Sequence, residues 1–395
     1  MLFTSTAGFG SFHPVFALAL AAQAAGHDVA YAMADERRAV IERFGLTFLP
    51  AGVDPPEMRR RMRERHPDVP LPPVDFESRK RILSLFFGGV YVDAMLPDLM
   101  QACRSWRPDV MVRAHLTYAG WIAAEACGTP HVTVEEYASG ESGWNLENMD
   151  HTLNAWRERS GLAPDPGLST LHRYLMLAPF PAPLRDPGSP FGPTARRIKP
   201  LIFSDSTDHA LPDWLDALPD GPVVHASLGT VSDRPELLRA IIDAAADEQY
   251  TLVLATGPLK DPALFEPLPS NVRAAAYIPH SRLLERCDAI ITHAGAGTLI
   301  ASVCAGLPMV FVPLFGDQMP NAERAAAAGA GIVLDHATLT PGSVRDATRS
   351  ILTDPRYRGA VGALRDEIDA LPPHADAVRW IAQIAETRAP LPASA

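Results

Sequence analysis

The sequence predicts an α/β protein built from two doubly wound parallel-sheet domains. Three observations carry that expectation. The chain of 395 residues exceeds the ~100–200 residues that one domain core ordinarily serves. Short apolar runs alternate with alanine-rich helical patterns in both halves, the rhythm of strand, crossover helix and parallel strand. Proline, 38 residues in all, is densest from Pro164 through Pro193 and Pro200 to Pro222, and this linker separates the two rhythms.

In the first half, Leu2–Thr6 reads as a strand and Gly8–Gly10 as a loop. Pro14 suits the first turn of the next helix, and Gly26 closes it. Val29–Ala34 is a strand, Glu36–Phe44 a helix stopped by Gly45, and Leu46–Leu49 a third strand. Residues 52–80 are charged and proline-broken, a long excursion. Val110–Arg113 and His131–Val134 are later strands around an alanine-rich helix ending at Gly128. The second half repeats the pattern with strands Val223–Ser227, Leu252–Thr256, Ala289–Thr292 and Met309–Val312. Its helices fall at Pro235–Ala246, Leu299–Ala305, Asn321–Ala328, Ser343–Leu352 and Gly359–Ala370. A last helix, Ala375–Glu386, is expected to pack back toward the first domain. The expected boundaries are therefore 1–203, 204–372 and 373–395, with ligands in a cleft at the carboxyl ends of both sheets.

Composition excludes several classes. With 47% hydrophobic and 21% charged residues the chain is ordinary globular material. Its 35 basic against 46 acidic residues give a net charge of −11, which argues against nucleic acid or an anionic membrane as partner. The basic run Arg59–Arg65 reads as a solvated helix face or a mobile loop. No apolar stretch is expected to span a bilayer, and Met1-Leu2-Phe3-Thr4-Ser5 lacks the basic start of a signal peptide. Cys103, Cys127, Cys287 and Cys304 have no metal-ligand spacing and read as reduced thiols, so a cytoplasmic location is expected.

Two loops carry chemistry. The first, Gly8-Phe9-Gly10-Ser11-Phe12-His13, fails as a dinucleotide fingerprint because His13 stands where glycine is required. The second, Thr292-His293-Ala294-Gly295-Ala296-Gly297-Thr298, runs from strand to helix. Its backbone N–H groups and the helix dipole suit an anion, and Thr298 and His293 add donors. No lysine follows the glycines, so it is no Walker loop. Asp317 and Gln318, leaving the next strand, suit a pair of vicinal hydroxyls, with Asn321 close behind. Ser227-Leu228-Gly229-Thr230 ends the first strand of that half.

These stretches, with Tyr277-Ile278-Pro279-His280-Ser281-Arg282-Leu283-Leu284 and Asp317-Gln318-Met319-Pro320-Asn321-Ala322, resemble the donor signature of the UGT-like nucleotide-sugar glycosyltransferases. The likeness is strongest to bacterial natural-product enzymes and covers nearly the whole chain. It implies the GT-B fold, two Rossmann-like domains, the first binding acceptor and the second the donor. It further implies UDP- or dTDP-sugar as co-substrate, no cofactor and no metal, and inverting transfer to a small hydrophobic aglycone such as a polyketide or polyphenol. A homodimer is left open. By the resemblance, Ile278 holds the base through its backbone. His293, Gly295, Ala296, Gly297 and Thr298 hold the diphosphate, with Ser227, Gly229 and Thr230 nearby. Asp317, Gln318 and Asn321 serve the sugar side. His280 stands where many relatives carry glutamine.

The catalytic dyad departs from the family pattern. The histidine position of relatives falls on Ser11 and the aspartate position on Ala114. Three alternatives stay open. His13 takes over as general base; or a carboxylate does so, from Glu136, Glu135 or Asp93, with His115 in reserve; or the acceptor is acidic enough to need little help, as in C-glycosylation. The acceptor wall is expected from Phe86, Phe87, Tyr91 and Met95 at near-helical spacing, with Trp144 and Met149. The rival classes are a non-catalytic auxiliary that binds nucleotide or a partner enzyme, and a sugar-nucleotide epimerase.

Overall fold

The computed structural model describes residues 1–69, 81–140, 147–200, 202–203, 211–229, 234–257 and 260–391. The chain divides into two compact units. The first comprises Met1–Phe180, Pro187–Phe203 and Leu371–Ala395; the second comprises Pro181–Asp186 and Ser204–Ala370.

Unit 1 holds a seven-stranded sheet in the order β3-β2-β1-β4-β5-β6-β7. Its strands are β1 Leu2–Thr4, β2 Ala30–Met33, β3 Thr47–Pro50, β4 Met111–Ala114, β5 His131–Val134, β6 Leu175–Ala178 and β7 Ala195–Arg197. Unit 2 holds a six-stranded sheet, β10-β9-β8-β11-β12-β13. These are β8 Val223–Ser227, β9 Thr251–Ala255, β10 Val272–Ala275, β11 Ala289–Thr292, β12 Met309–Phe311 and β13 Gly331–Val333. Neighbouring strands pair in parallel throughout, so the expected doubly wound architecture is observed twice. In each sheet the order reverses once, between β1 and β4 and between β8 and β11. Loops on either side of such a reversal leave toward opposite faces, which opens a crevice at the carboxyl ends of the strands.

Strands β6, β7, β10 and β13 were not legible as strands. Leu175–Ala178 and Ala195–Arg197 lie inside the proline-rich stretch read as linker, so that stretch is partly sheet. Its prolines fall between the strands, where no ladder hydrogen bond is lost.

The first helix also differs. It spans Phe9–Ala24, so Gly8–Gly10 is not a free loop and Pro14 lies inside the helix. Gly8 takes the cap position, its carbonyl accepting from the N–H groups of Ser11 and Phe12 at 3.1 and 2.8 Å. Gly26, at φ +88°, supplies the left-handed turn that ends the segment, as expected. The charged excursion contains a helix, Pro55–Arg65, whose Arg60 and Arg61 pair with Glu57 while Arg65 pairs with Asp93.

The bilayer expectation needs amending. Arg81–Trp106 is a continuous helical stretch of 26 residues, long and apolar enough to cross a membrane. Half of its apolar window is buried in the unit, where Val92, Met95, Leu96 and Leu99 join the core under β4.

The C-terminal helix His374–Thr387 belongs to unit 1. Ala377, Val378, Ile381 and Ile384 pack with Phe12, Phe16 and Ala19 of the first helix. Two hydrogen bonds fasten its entry: Lys199 N–H to the Pro372 carbonyl, and the His374 ring to the Pro200 carbonyl, both 2.9 Å. Ile381→Ala should therefore destabilise unit 1 by about 2–4 kcal/mol through the cavity it leaves. Urea unfolding monitored on unit 1 checks this, with Gln383→Ala on the same helix as the near-neutral control.

Candidate active site

At the reversal in unit 1, β1 runs into Ser5-Thr6 and the first helix, while β4 runs into His115-Leu116-Thr117. The two loops bring three chemically useful groups together with Glu136, which follows β5. Thr6 Oγ1 donates to Ser11 Oγ at 2.8 Å, and Ser11 Oγ donates to Glu136 Oε1. The Leu116 N–H donates to the other oxygen, Oε2, at 2.8 Å. Ser11 is 6% exposed and Glu136 7%. A buried carboxylate is costly unless hydrogen-bonded, and here both oxygens are. Beside it Tyr31 donates or accepts with Ser5 at 2.7 Å, and burial pushes its phenol far above the usual range.

His13 stands differently. Two residues on from Ser11 rotate a helical side chain by roughly 200°, and the regular helix leaves no irregular turn to undo that. Its ring lies 4.9 Å from Phe9, 5.9 Å from Phe12 and 5.4 Å from Phe203. His115 is buried with its ring 5.3 Å from Tyr137 and 5.1 Å from His172. Glu135 is fully buried, and Asp93 pairs with Arg65.

Phe86, Phe87 and Tyr91 of the expected acceptor wall form an aromatic cluster. A π-helical turn, Ser84–Val90, carries Phe86 and Phe87 into the helix Tyr91–Trp106. Phe87 and Tyr91 stack at 5.3 Å and 8°, and Phe86 stands edge-on to Tyr91 at 4.9 Å. All three are half-buried; Met95 and Met149 are core. Trp144 and Thr230 lie outside the described residues.

In unit 2 the reversal gathers the glycine loop. The helix Ala296–Cys304 starts at Gly295 with no side-chain cap, so Ala296, Gly297 and Thr298 present the first-turn N–H groups. The His293 ring fills the space between two glycines. A Cβ on Gly229 would lie 2.9 Å from His293 Nε2, and one on Gly295 2.6 Å. Gly229 is doubly required, since its φ is +84°. Ser227 Oγ accepts from the Gly229 N–H at 3.4 Å.

The loop is held from below. Ala294, buried at φ +65°, takes the left-handed backbone that a Cβ disfavours. Thr292 Oγ1 accepts its N–H at 3.2 Å, and Asn321 Nδ2 donates to its carbonyl at 3.1 Å. The same Asn321 nitrogen donates to Asp317 Oδ2 at 2.7 Å. Asn321 is thus a strut between the glycine loop and the aspartate. Gln318 is buried, with Oε1 accepting from the N–H groups of Leu314 and Phe315 at 2.8 and 2.9 Å. A ligand can then meet Gln318 only through Nε2. Ile278 is buried beside Leu215 and Val253, one residue before Pro279 caps the short helix His280–Leu283.

Sequence reasoning misses Thr6, the Leu116 N–H, Arg113 and His225. None stands in a motif, and each matters through partners distant in sequence. His225 is buried on β8, with Nδ1 2.9 Å from the Val253 carbonyl and its ring 5.7 Å from His280. Burial holds His225 down to about 3, and His280 and His293 to about 4, each with its neighbour histidine a lesser cause where one acts.

Family models for the erythromycin biosynthesis protein CIII-like N-terminal and C-terminal domains match residues 18–143 and 239–384. The 10-deoxymethynolide desosaminyltransferase of Streptomyces venezuelae is 30% identical, over 100% of this chain and 99% of that protein. The chain belongs to the erythromycin biosynthesis protein CIII-like family. Like its relatives it is a glycosyltransferase. The L-demethylnoviosyl transferase of Streptomyces niveus is 31% identical, with full coverage of both chains (100% each). A crystal structure of the glycosyltransferase VinC in complex with dTDP matches with TM-score 0.78 and 28% identity, over 98% of this chain and 100% of that one. The calicheamicin glycosyltransferase CalG4, at 23% identity and TM-score 0.79, shares the GT-B fold.

The three depressed histidines predict an acid-labile unit 2. The native pKa values lie below the unfolded value of about 6.5, so below that pH the unfolded chain binds protons the native unit does not. Stability present at pH 7 should fall as pH drops from about 6.5 toward 4. Urea midpoints across that range measure the slope, and His225→Leu should flatten it.

Proposed function

We propose that this glycosyltransferase is inverting and metal-independent, moving one sugar from UDP- or dTDP-sugar to a small hydrophobic acceptor such as a polyketide or polyphenol, with Glu136 as general base. The observation that carries the choice of base is the hydrogen bond from Ser11, which stands at the position the resemblance gives to the relatives' histidine, to Glu136. Ser11 donates there and so is no base itself; it orients the carboxylate and presents Oγ to the acceptor. Hydrogen bonds on both oxygens favour the ionised carboxylate, the form that accepts a proton.

In the transfer, the acceptor oxygen, or an electron-rich ring carbon in the C-linked case, attacks the anomeric carbon opposite the leaving group. The bond from that carbon to the diphosphate oxygen breaks, its electron pair leaving with the nucleotide, and the acceptor proton passes to Glu136. The first-turn N–H groups of Ala296, Gly297 and Thr298 are disposed to meet the growing negative charge. His293 is neutral near pH 7, held at about 4 chiefly by burial, and contributes as an N–H donor. Asp317, steadied by Asn321, would receive sugar hydroxyls. A structure with dTDP in a 28% identical relative supports thymidine diphosphate as the nucleotide to try first. The desosaminyl, mycaminosyl and rhodosaminyl transferases among the relatives support polyketide-type acceptors. The sequence places no Asp-x-Asp pair to hold a divalent cation, which is the ground for proposing transfer without one. Four free thiols suit a reducing, cytoplasmic location.

Assays pairing an aglycone panel with UDP- and dTDP-sugars test the activity, and added EDTA should leave it unchanged. Product analysis without acceptor separates the rivals: an epimerase interconverts sugars, and an auxiliary protein does nothing. Glu136→Gln should lose roughly 10²–10⁴-fold on an alcohol acceptor and much less on an acidic phenol. His13→Ala should lose little on either; a large, alcohol-selective loss there would return the base to His13. On the donor side, His293→Ala should lower kcat by ~10²–10³-fold. Asp317→Ala should impair turnover yet bind bare dTDP or UDP nearly normally by calorimetry.

A further inference from the structure

We propose that Arg113 is a positioning residue that holds and polarises Glu136 through the His115–Leu116 peptide group. The inference rests on Glu136 being the base and extends inward from it. Arg113 is the third residue of β4 and is 0% exposed, a permanent cation inside the core of unit 1. Its guanidinium is turned on backbone carbonyls. Nη1 donates to the His115 carbonyl at 2.8 Å and to the Ala114 carbonyl at 3.3 Å, and Nη2 to the Leu171 carbonyl at 2.7 Å.

The His115 carbonyl and the Leu116 N–H are the two ends of one planar peptide unit. That N–H donates to Glu136 Oε2 at 2.8 Å. A relay therefore runs from guanidinium to carbonyl oxygen, through the peptide, to N–H and carboxylate. A cation on the carbonyl draws electrons from the amide nitrogen and strengthens its N–H as a donor, the cooperative polarisation expected in a low-dielectric interior. The same bonds fix the turn after β4, which also has Thr117 N–H on the Ala114 carbonyl and His115 N–H on the Val134 carbonyl, both 3.0 Å. The cation thus acts on Oε2, while the Thr6-to-Ser11 hydroxyl chain acts on Oε1.

A buried guanidinium is expensive, and well-packed apolar residues often replace such groups without loss of stability. A role in ionising and orienting Glu136 gives this one a function. Lysine is a poor substitute, since a single ammonium cannot span three carbonyls in the fork geometry of arginine. The other groups near Glu136 are Ser5 and Thr6 after β1, Ser11 on the first helix, and Tyr31 on β2, whose phenol feels the Glu136 charge. Glu135 and Tyr137 adjoin it in the chain, and His115 and Tyr118 stand on the turn after β4 and its helix. All of these are kept in the variants.

The test reads Glu136 directly and needs no acceptor. Infrared spectra of protein with ¹³C-labelled glutamate, taken as wild type minus Glu136→Gln across pH, give the protonation midpoint of that carboxyl. Arg113→Met should raise the midpoint by about half a unit or more, with Arg113→Lys between it and wild type, while dTDP affinity stays unchanged. A midpoint that stays at the wild-type value in either variant, with cooperative melting retained, overturns the proposal. Should Arg113→Met fail to fold, Arg113→Lys decides alone. The two claims fail separately: if the midpoint moves but Glu136→Gln transfers sugar to an alcohol acceptor at the wild-type rate, the relay stands and the base lies elsewhere.

Discussion

The reversal of strand order in each parallel sheet is the constraint on which the rest of this molecule depends. A right-handed crossover sends the chain to one face of the sheet on one side of β1 and to the other face on the far side. The loops after β1 and β4, and those after β8 and β11, therefore part at the carboxyl ends and cannot close over each other. Backbone N–H groups and short polar side chains there have no sheet partner. In unit 1 this opening holds a buried carboxylate; in unit 2 it holds an uncapped helix N-terminus.

The two openings solve opposite electrostatic problems. In the proposed reaction unit 2 meets negative charge with neutral dipoles: first-turn amides, a hydroxyl, and a histidine that burial keeps uncharged. Those groups can bear on a developing diphosphate charge without reorganising, because Asn321, Thr292 and the two glycines fix the loop in advance. Unit 1 must keep a negative charge usable inside apolar surroundings. It surrounds Glu136 with donors, Ser11 on one oxygen and the Leu116 N–H on the other. On the proposed reading, a base on the glutamate after β5 approaches Ser11 from another strand instead of from the first helix.

Much of unit 2 was legible because its chemistry is local in sequence. The run from Thr292 to Thr298 ends its strand and opens its helix within seven residues, so its outline lies in one stretch of sequence. Even so, Asn321 and Gln318 changed character. Both read as donor-site residues, yet the Asn321 amide nitrogen holds the Ala294 carbonyl and Asp317, and the Gln318 amide oxygen holds the N–H groups of Leu314 and Phe315. Unit 1 was less legible, since Ser11 and Glu136 are 125 residues apart and belong to no common motif. His13 drew attention as the near-neutral group beside Ser11, but helical periodicity turns it onto Phe9, Phe12 and Phe203.

By itself the sequence determined the fold class, the repetition of the doubly wound pattern, the family likeness and the outline of the donor loop. The fold class and its repetition follow from periodicity, and the loop outline from glycines and hydroxyls at short spacings; the likeness rests on the resemblance of whole motifs. Only the tertiary structure decided that the proline-rich stretch contributes β6 and β7, and that Glu136 meets Ser11. It alone turned a buried arginine toward the turn after β4. Strand pairing and buried hydrogen bonds are set by which groups become neighbours after burial, and the cost of leaving a polar group unpaired is felt only once the core has closed around it.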